Sequence, residues 1–85
     1  MTYFILIQKN YAIMGIGTSA EQTLLQACEW TDYNSTEEII FSQSYNTANE
    51  GDLVLLECTK DLHDYVIKGG EYFEVQNNIA TIEQQ

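Results

Sequence analysis

The chain contains no arginine and no proline, and only three lysines (Lys9, Lys60, Lys68) stand against thirteen aspartates and glutamates. The formal net charge of −10 excludes a direct nucleic-acid reader, which must neutralise phosphates with Lys and Arg. Anionic membrane surfaces repel such a chain for the same reason. Acid is itself missing from residues 1–20, whose one charged side chain is Lys9. All thirteen carboxylates therefore fall between Glu21 and Glu83. This asymmetry predicts a buried N-terminal hairpin beneath an acidic exterior.

Other absences narrow the chemistry. The densest apolar run, residues 3–7, is far too short to span a bilayer and lacks the basic flank and cleavage site of a secretory signal. A soluble, cytoplasmic protein is the expectation. Cys28 and Cys58 show no metal-ligand spacing and fall at positions that read as core-facing. Free thiols in a reducing compartment are expected, with a bridge between the two as the alternative. The single histidine, His63, lies between Asp61 and Asp64 on the side of a predicted helix away from Leu62 and Val66. It is expected to be exposed, without the partners that a zinc site requires. No Ser-His-Asp or Cys-His arrangement can be assembled, and no basic group flanks either thiol. Neither catalysis nor a cofactor nor a metal is expected.

What is present describes one small domain over residues 1–85. A hydrophobic share of 45% is ordinary for a globular chain and argues against disorder despite the charge. Residues 3–7 are β-branched and aromatic without alternation, which predicts a central strand covered on both faces at least in part. Lys9-Asn10 suits a two-residue turn, and residues 11–16 return as a second strand. Thr18 and Glu21 fit a capping box that opens a helix over 19–30, with Ala20, Leu24, Ala27, Cys28 and Thr31 on its inner face. Leu25 and Trp30 fall near the edge of that stripe, so one of them is expected at the surface.

Ile39, Ile40 and Phe41 predict a third strand within 36–44, although Ser35 with Glu38 offers a short helical turn instead. Residues 43–52 read as a loop and 53–58 as a strand. Thr59 or Asp61 opens a second helix that Gly69-Gly70 ends. Residues 71–76 and 79–82 form a hairpin around Asn77-Asn78, and the tail from Glu83 is expected to fray. The string is ββα(β)βαββ. It predicts an α+β fold in which a mainly antiparallel sheet of four to six strands carries two helices on one face.

Gly15-Ile16-Gly17-Thr18-Ser19-Ala20 matches G-x-G-x-x-A between a predicted strand and helix. Glu37 and Glu38 lie at the distance where a ribose-binding acid would stand. A pyrophosphate could then sit on the helix start. Against this, the preceding strand is the second arm of a hairpin, the chain is too short for a doubly wound sheet, and the charge repels the ligand. Two glycines that permit the bend into the helix are the simpler reading.

The acidic surface carries the functional content. Solubility alone explains many acidic domains. A lack of arginine at this net charge also suits a partner of opposite charge, attracted over a distance and held by carboxylates standing where phosphates would. Tyr33, Tyr45 and Tyr65 lie in or near polar stretches, where tyrosine often anchors interfaces. The candidate partner-binding residues are Glu21, Glu29, Asp32, Tyr33, Glu37, Glu38, Tyr45, Glu50, Asp52, Asp61 and Asp64. Tyr33 and Tyr45 are expected in exposed loops, where alanine leaves the fold intact.

In size, charge, absence of arginine and ββα-led layout, the whole chain resembles the small acidic proteins of phages and mobile elements, including anti-CRISPR and other anti-defence inhibitors. That resemblance implies a stoichiometric inhibitor, monomeric or homodimeric, that blocks a basic nucleic-acid-handling complex such as a CRISPR effector in the host cytoplasm. The chain departs from the most DNA-like mimics in its lower acid content, which favours partner binding through tyrosines and acids together, with partial DNA mimicry, over pure mimicry. The alternatives are a self-associating structural or assembly domain of phage or bacterial origin and, third, a small nucleotide-binding module.

Overall fold

A computed structural model describes residues 1–82; the tail expected to fray lies outside them. The uninterrupted apolar run near the N-terminus becomes β1 (Tyr3–Gln8). Ile5, Leu6 and Ile7 are each 0% exposed, as a strand covered on both faces must be. A turn with Asn10 at φ 68° leads into β2 (Ala12–Gly17), antiparallel to β1. Asparagine tolerates this left-handed conformation better than most residues. Met14 is the extra residue of a bulge, because Leu6 pairs with Gly15 but Ile7 pairs with Ile13.

β3 (Leu53–Cys58) lies antiparallel on the other side of β1. β4 (Glu74–Gln76) and β5 (Ile79–Thr81) form a short hairpin. Asn77 and Asn78, both at positive φ, make its turn. β5 runs parallel to β3, giving the order β2-β1-β3-β5-β4. Over the described residues the fold is α+β, with a mainly antiparallel mixed sheet of five strands and two helices.

The helices occupy opposite faces of that sheet, not one face as the sequence suggested. Strand parity is the reason. Leu6 points one way and packs with Ala27 and Leu24 of α1 (Ala20–Trp30). Ile5 and Ile7 point the other way and pack with Leu62 and Val66 of α2 (Lys60–Ile67). A central strand apolar at every position needs cover on both sides.

Two local readings also change. The segment predicted as a third strand forms a 3-10 turn (Thr36–Glu38), the helical alternative, and then makes a single parallel bridge from Ser42 to Val54. The Ser42 amide donates to the Leu53 carbonyl at 2.8 Å and the Leu55 amide donates to the Ser42 carbonyl at 3.0 Å. Ser42 uses the stretch of β3 that short β5, paired only at Glu57 and Cys58, leaves open. The N-cap shifts by one residue, without the reciprocal bond of a capping box. Ser19 is the N-cap, its hydroxyl accepting from the Gln22 amide at 3.0 Å, and the Gln22 side chain accepts from the Thr18 amide at 2.6 Å. Glutamine replaces the expected Glu21.

The end of α2 follows its glycines. Gly69, at φ 99°, donates to the Val66 carbonyl, and Gly70 donates to the Tyr65 carbonyl, both at 2.9 Å. These two bonds complete a Schellman motif. A Cβ at Gly70 would run into the Tyr65 ring.

Candidate functional site

The G-x-G-x-x-A string is a packing device. A Cβ on Gly15 would lie 2.5 Å from the Thr23 carbonyl oxygen, and one on Gly17 would lie 2.9 Å from the Thr23 amide nitrogen. The glycines let the helix backbone lie directly on β2. They keep ordinary negative φ, so close approach and not the bend requires them. Part of the helix start is also taken: the Gln22 amide by the Ser19 hydroxyl at 3.0 Å, and the Thr18 amide, just before the cap, by the Gln22 side chain at 2.6 Å. A phosphate would have to displace these bonds.

The candidate acids are divided between the two layers. Glu21 and Glu29 are exposed on α1, and Asp32, Glu37 and Glu38 are exposed just beyond it. The Glu29 carboxylate accepts from the Gln26 amide group at 3.2 Å, and Glu38 accepts from the Asn34 backbone at 2.9 Å. Glu50 and Asp52 lie beside the β1–β2 turn, where the Asp52 carboxylate accepts from the Asn49 amide at 3.0 Å. Asp61 and Asp64 are on α2, across the sheet. Among the described residues no three His, Cys, Asp or Glu gather closely enough to hold a metal ion.

The bases are mostly occupied. Lys9 donates to the carbonyls of Tyr45 (2.7 Å) and Ala48 (2.9 Å), its ammonium 4.6 Å above the Tyr45 ring. Lys60 donates to Asp64 at 3.0 Å. That bond, with the Asp64 charge, raises the lysine's pKa. The Asp64 carboxyl is held below the usual carboxylate range, first by its hydrogen bond with His63 (3.2 Å) and then by that with Lys60. His63 is not exposed as expected: only 17% of its side chain is accessible, and its ring lies 4.7 Å from that of Tyr3 at 47°.

Tyr33 and Tyr45 also differ from expectation. Each lies half-buried against a core, Tyr33 beneath α1 and Tyr45 on the α2 side. Loop composition suggested free rings, but each ring closes the edge of an apolar cluster. Cys28 packs with the α1 core and Cys58 with the α2 core, both as free thiols. Burial pushes the Cys58 thiol up to about 12.

One feature escaped the sequence reading. At the start of edge strand β2, between the C-terminal ends of both helices, lies a groove of about 650 Å³. Tyr11, Trp30, Ile67 and Tyr72 line it, with Ala12, Ile13 and Glu71. An adjoining hollow of about 310 Å³ shares Tyr11, Glu71 and Tyr72 and adds Tyr45, Phe73 and Glu74. Leu25 and Trp30 are both exposed, at 53% and 47%. Only Trp30's place at the edge of the helical stripe hinted at this surface.

Among the described residues, no helix is long and apolar enough to cross a membrane. No known protein family matches the chain, and neither a curated protein nor a solved structure matches it.

Proposed function

We propose that this chain is a stoichiometric protein-binding inhibitor whose acidic exterior engages a basic nucleic-acid-handling complex in the cytoplasm, as anti-CRISPR proteins engage effectors. The observation that carries the reading is uncompensated charge. All thirteen carboxylates except Glu83 lie in the described residues, and of these only Asp64 pairs with a lysine. Lys9 meanwhile is directed at backbone carbonyls. Of the other eleven described acids, all but half-buried Glu74 are exposed, so negative charge is spread over the surface. Such a field speeds encounter with a basic surface and disfavours acidic partners.

Capture of purified CRISPR effector complexes on the immobilised protein, across a salt series, tests this. Capture at low salt that weakens as salt rises is expected; no capture at low salt rejects it. A self-associating assembly domain is the second reading, favoured by the outer edge of β2, which pairs with no strand among the described residues. Sedimentation decides it, since a strict monomer excludes self-assembly.

A further inference from the structure

Tyr11 (68% exposed), Trp30 (47%), Ile67 (62%) and Tyr72 (65%) are four of the eight exposed large apolar side chains among the described residues. They come from four separate segments: the β1–β2 turn, the last residues of α1 and α2, and the connection to β4. All four nevertheless line the same groove. Single exposed apolar residues are ordinary, but convergence of four on one concavity marks an interaction surface.

Charge selects the occupant. Glu71 lines both the groove and the adjoining hollow, and Glu74 lines the latter. Lys68 stands between two residues of the groove wall yet lines neither cavity. α1 ends here without a base in its last turn, whereas Lys68 caps the end of α2. The partial negative charge at the end of α1 therefore adds to those of the carboxylates. Aromatic faces beside carboxylates suit a planar guanidinium, which stacks and forks at once. A cation already rests on one ring of the adjoining hollow, where the Lys9 ammonium sits over Tyr45.

We propose that this trough is the docking site for an arginine-bearing segment of the partner protein. An apolar neighbour of the arginine rests against Trp30 and Ile67, and the guanidinium lies between Tyr11, Tyr72 and Glu71. A second copy of this chain is the wrong occupant by charge, since it carries −10 and no arginine. The bulge at Met14 disturbs the edge of β2, which favours side-chain docking over strand addition. The nature of the occupant rests on the basic-partner reading above; the location does not.

The test uses the full chain, ¹⁵N-labelled, titrated with a peptide alternating arginine and leucine and with the same peptide carrying citrulline for arginine. Saturable binding should shift the amides of Tyr11, Trp30 and Tyr72 and perturb the fluorescence of Trp30, the single tryptophan. Tyr72→Ala and Glu71→Gln should each weaken it by about tenfold, the order of effect of a central interface side chain. Both positions are exposed, so unchanged melting curves will confirm that the variants fold. Equal affinity for the citrulline peptide overturns the cationic occupant. Shifts confined to the Glu37 and Glu38 side, with affinity indifferent to Tyr72→Ala, overturn the groove. A dimer abolished by Tyr72→Ala overturns the partner-protein occupant. Effector capture without any peptide binding in the groove overturns this site while leaving the basic-partner reading intact.

Discussion

The two helices cover opposite faces of one sheet by opposite means. α1 buries fully only Thr23 and Ala27, small side chains that sit on Gly15 and Gly17 with backbone nearly touching backbone. α2 is shorter, yet it buries Leu62 and Val66 against Ile5, Ile7, Ile16, Val54 and Leu56. Close approach allows α1 to hold with little apolar volume, whereas bulky interdigitation lets an eight-residue helix stay folded, as isolated helices of that length do not. The difference shows that a glycine pair and a leucine–valine pair can do the same structural task. It also shows where each fails: one layer tolerates no added atom, and the other tolerates no missing one.

The largest expected effect is loss of volume on the α2 side. Leu62→Ala, at a site 0% exposed, should destabilise by about 3 kcal/mol in denaturant unfolding. Adding a single methyl on the α1 side should rival it. Gly15→Ala meets a backbone oxygen that cannot step aside, and a loss of about 2 kcal/mol is expected. A neutral Gly15→Ala would break the contrast between the layers. The two helix starts should behave alike despite different packing. Ser19→Ala and Thr59→Ala each remove a hydroxyl that accepts a backbone amide, at a cost of about 1 kcal/mol.

Thiol chemistry separates the layers next. With its thiol pushed up to about 12, Cys58 should resist iodoacetamide in the native protein at mildly alkaline pH and react only after denaturation. Because folding raises this pKa, the stability it contributes is complete below the ordinary thiol range and is lost as pH rises toward 12. No Cys28–Cys58 bridge should form on oxidation, since the two sit in cores on opposite faces; a bridged species in non-reducing mass spectrometry would contradict the topology. The smallest effect concerns Asp64. Its folded pKa is depressed, so its contribution is present above the usual carboxylate range and fades as pH falls through the folded value. An NMR titration should place the Asp64 midpoint low, and Lys60→Ala or His63→Ala should move it upward.

Features set by neighbouring residues were legible in the chain. Non-alternating Ile5, Leu6 and Ile7 announced a central strand, Asn10 and the Asn77-Asn78 pair announced turns, and Gly69-Gly70 announced a helix end. Features set across the fold were not. Periodicity assigns α1 and α2 an apolar face each, but which side of the sheet each covers depends on strand parity and crossover. Ile39 and Phe41 look like strand residues because both enter a core, yet the open stretch of β3 accepts only Ser42. Tyr33 and Tyr45 sit among loop-forming residues, and only the tertiary structure shows that their rings close core edges. The acidic exterior could be read from composition, whereas the trough, assembled from four separated segments, could not.

The salt dependence of affinity for a basic nucleic-acid-handling complex tests the proposed electrostatic recognition most directly. It should be measured for the wild-type chain and for a variant with Glu21, Glu29, Glu37 and Glu38 replaced by glutamine. Recognition by the acidic exterior predicts affinity that falls steadily with rising salt, and less steeply for the neutralised variant. Affinity indifferent to salt would contradict it.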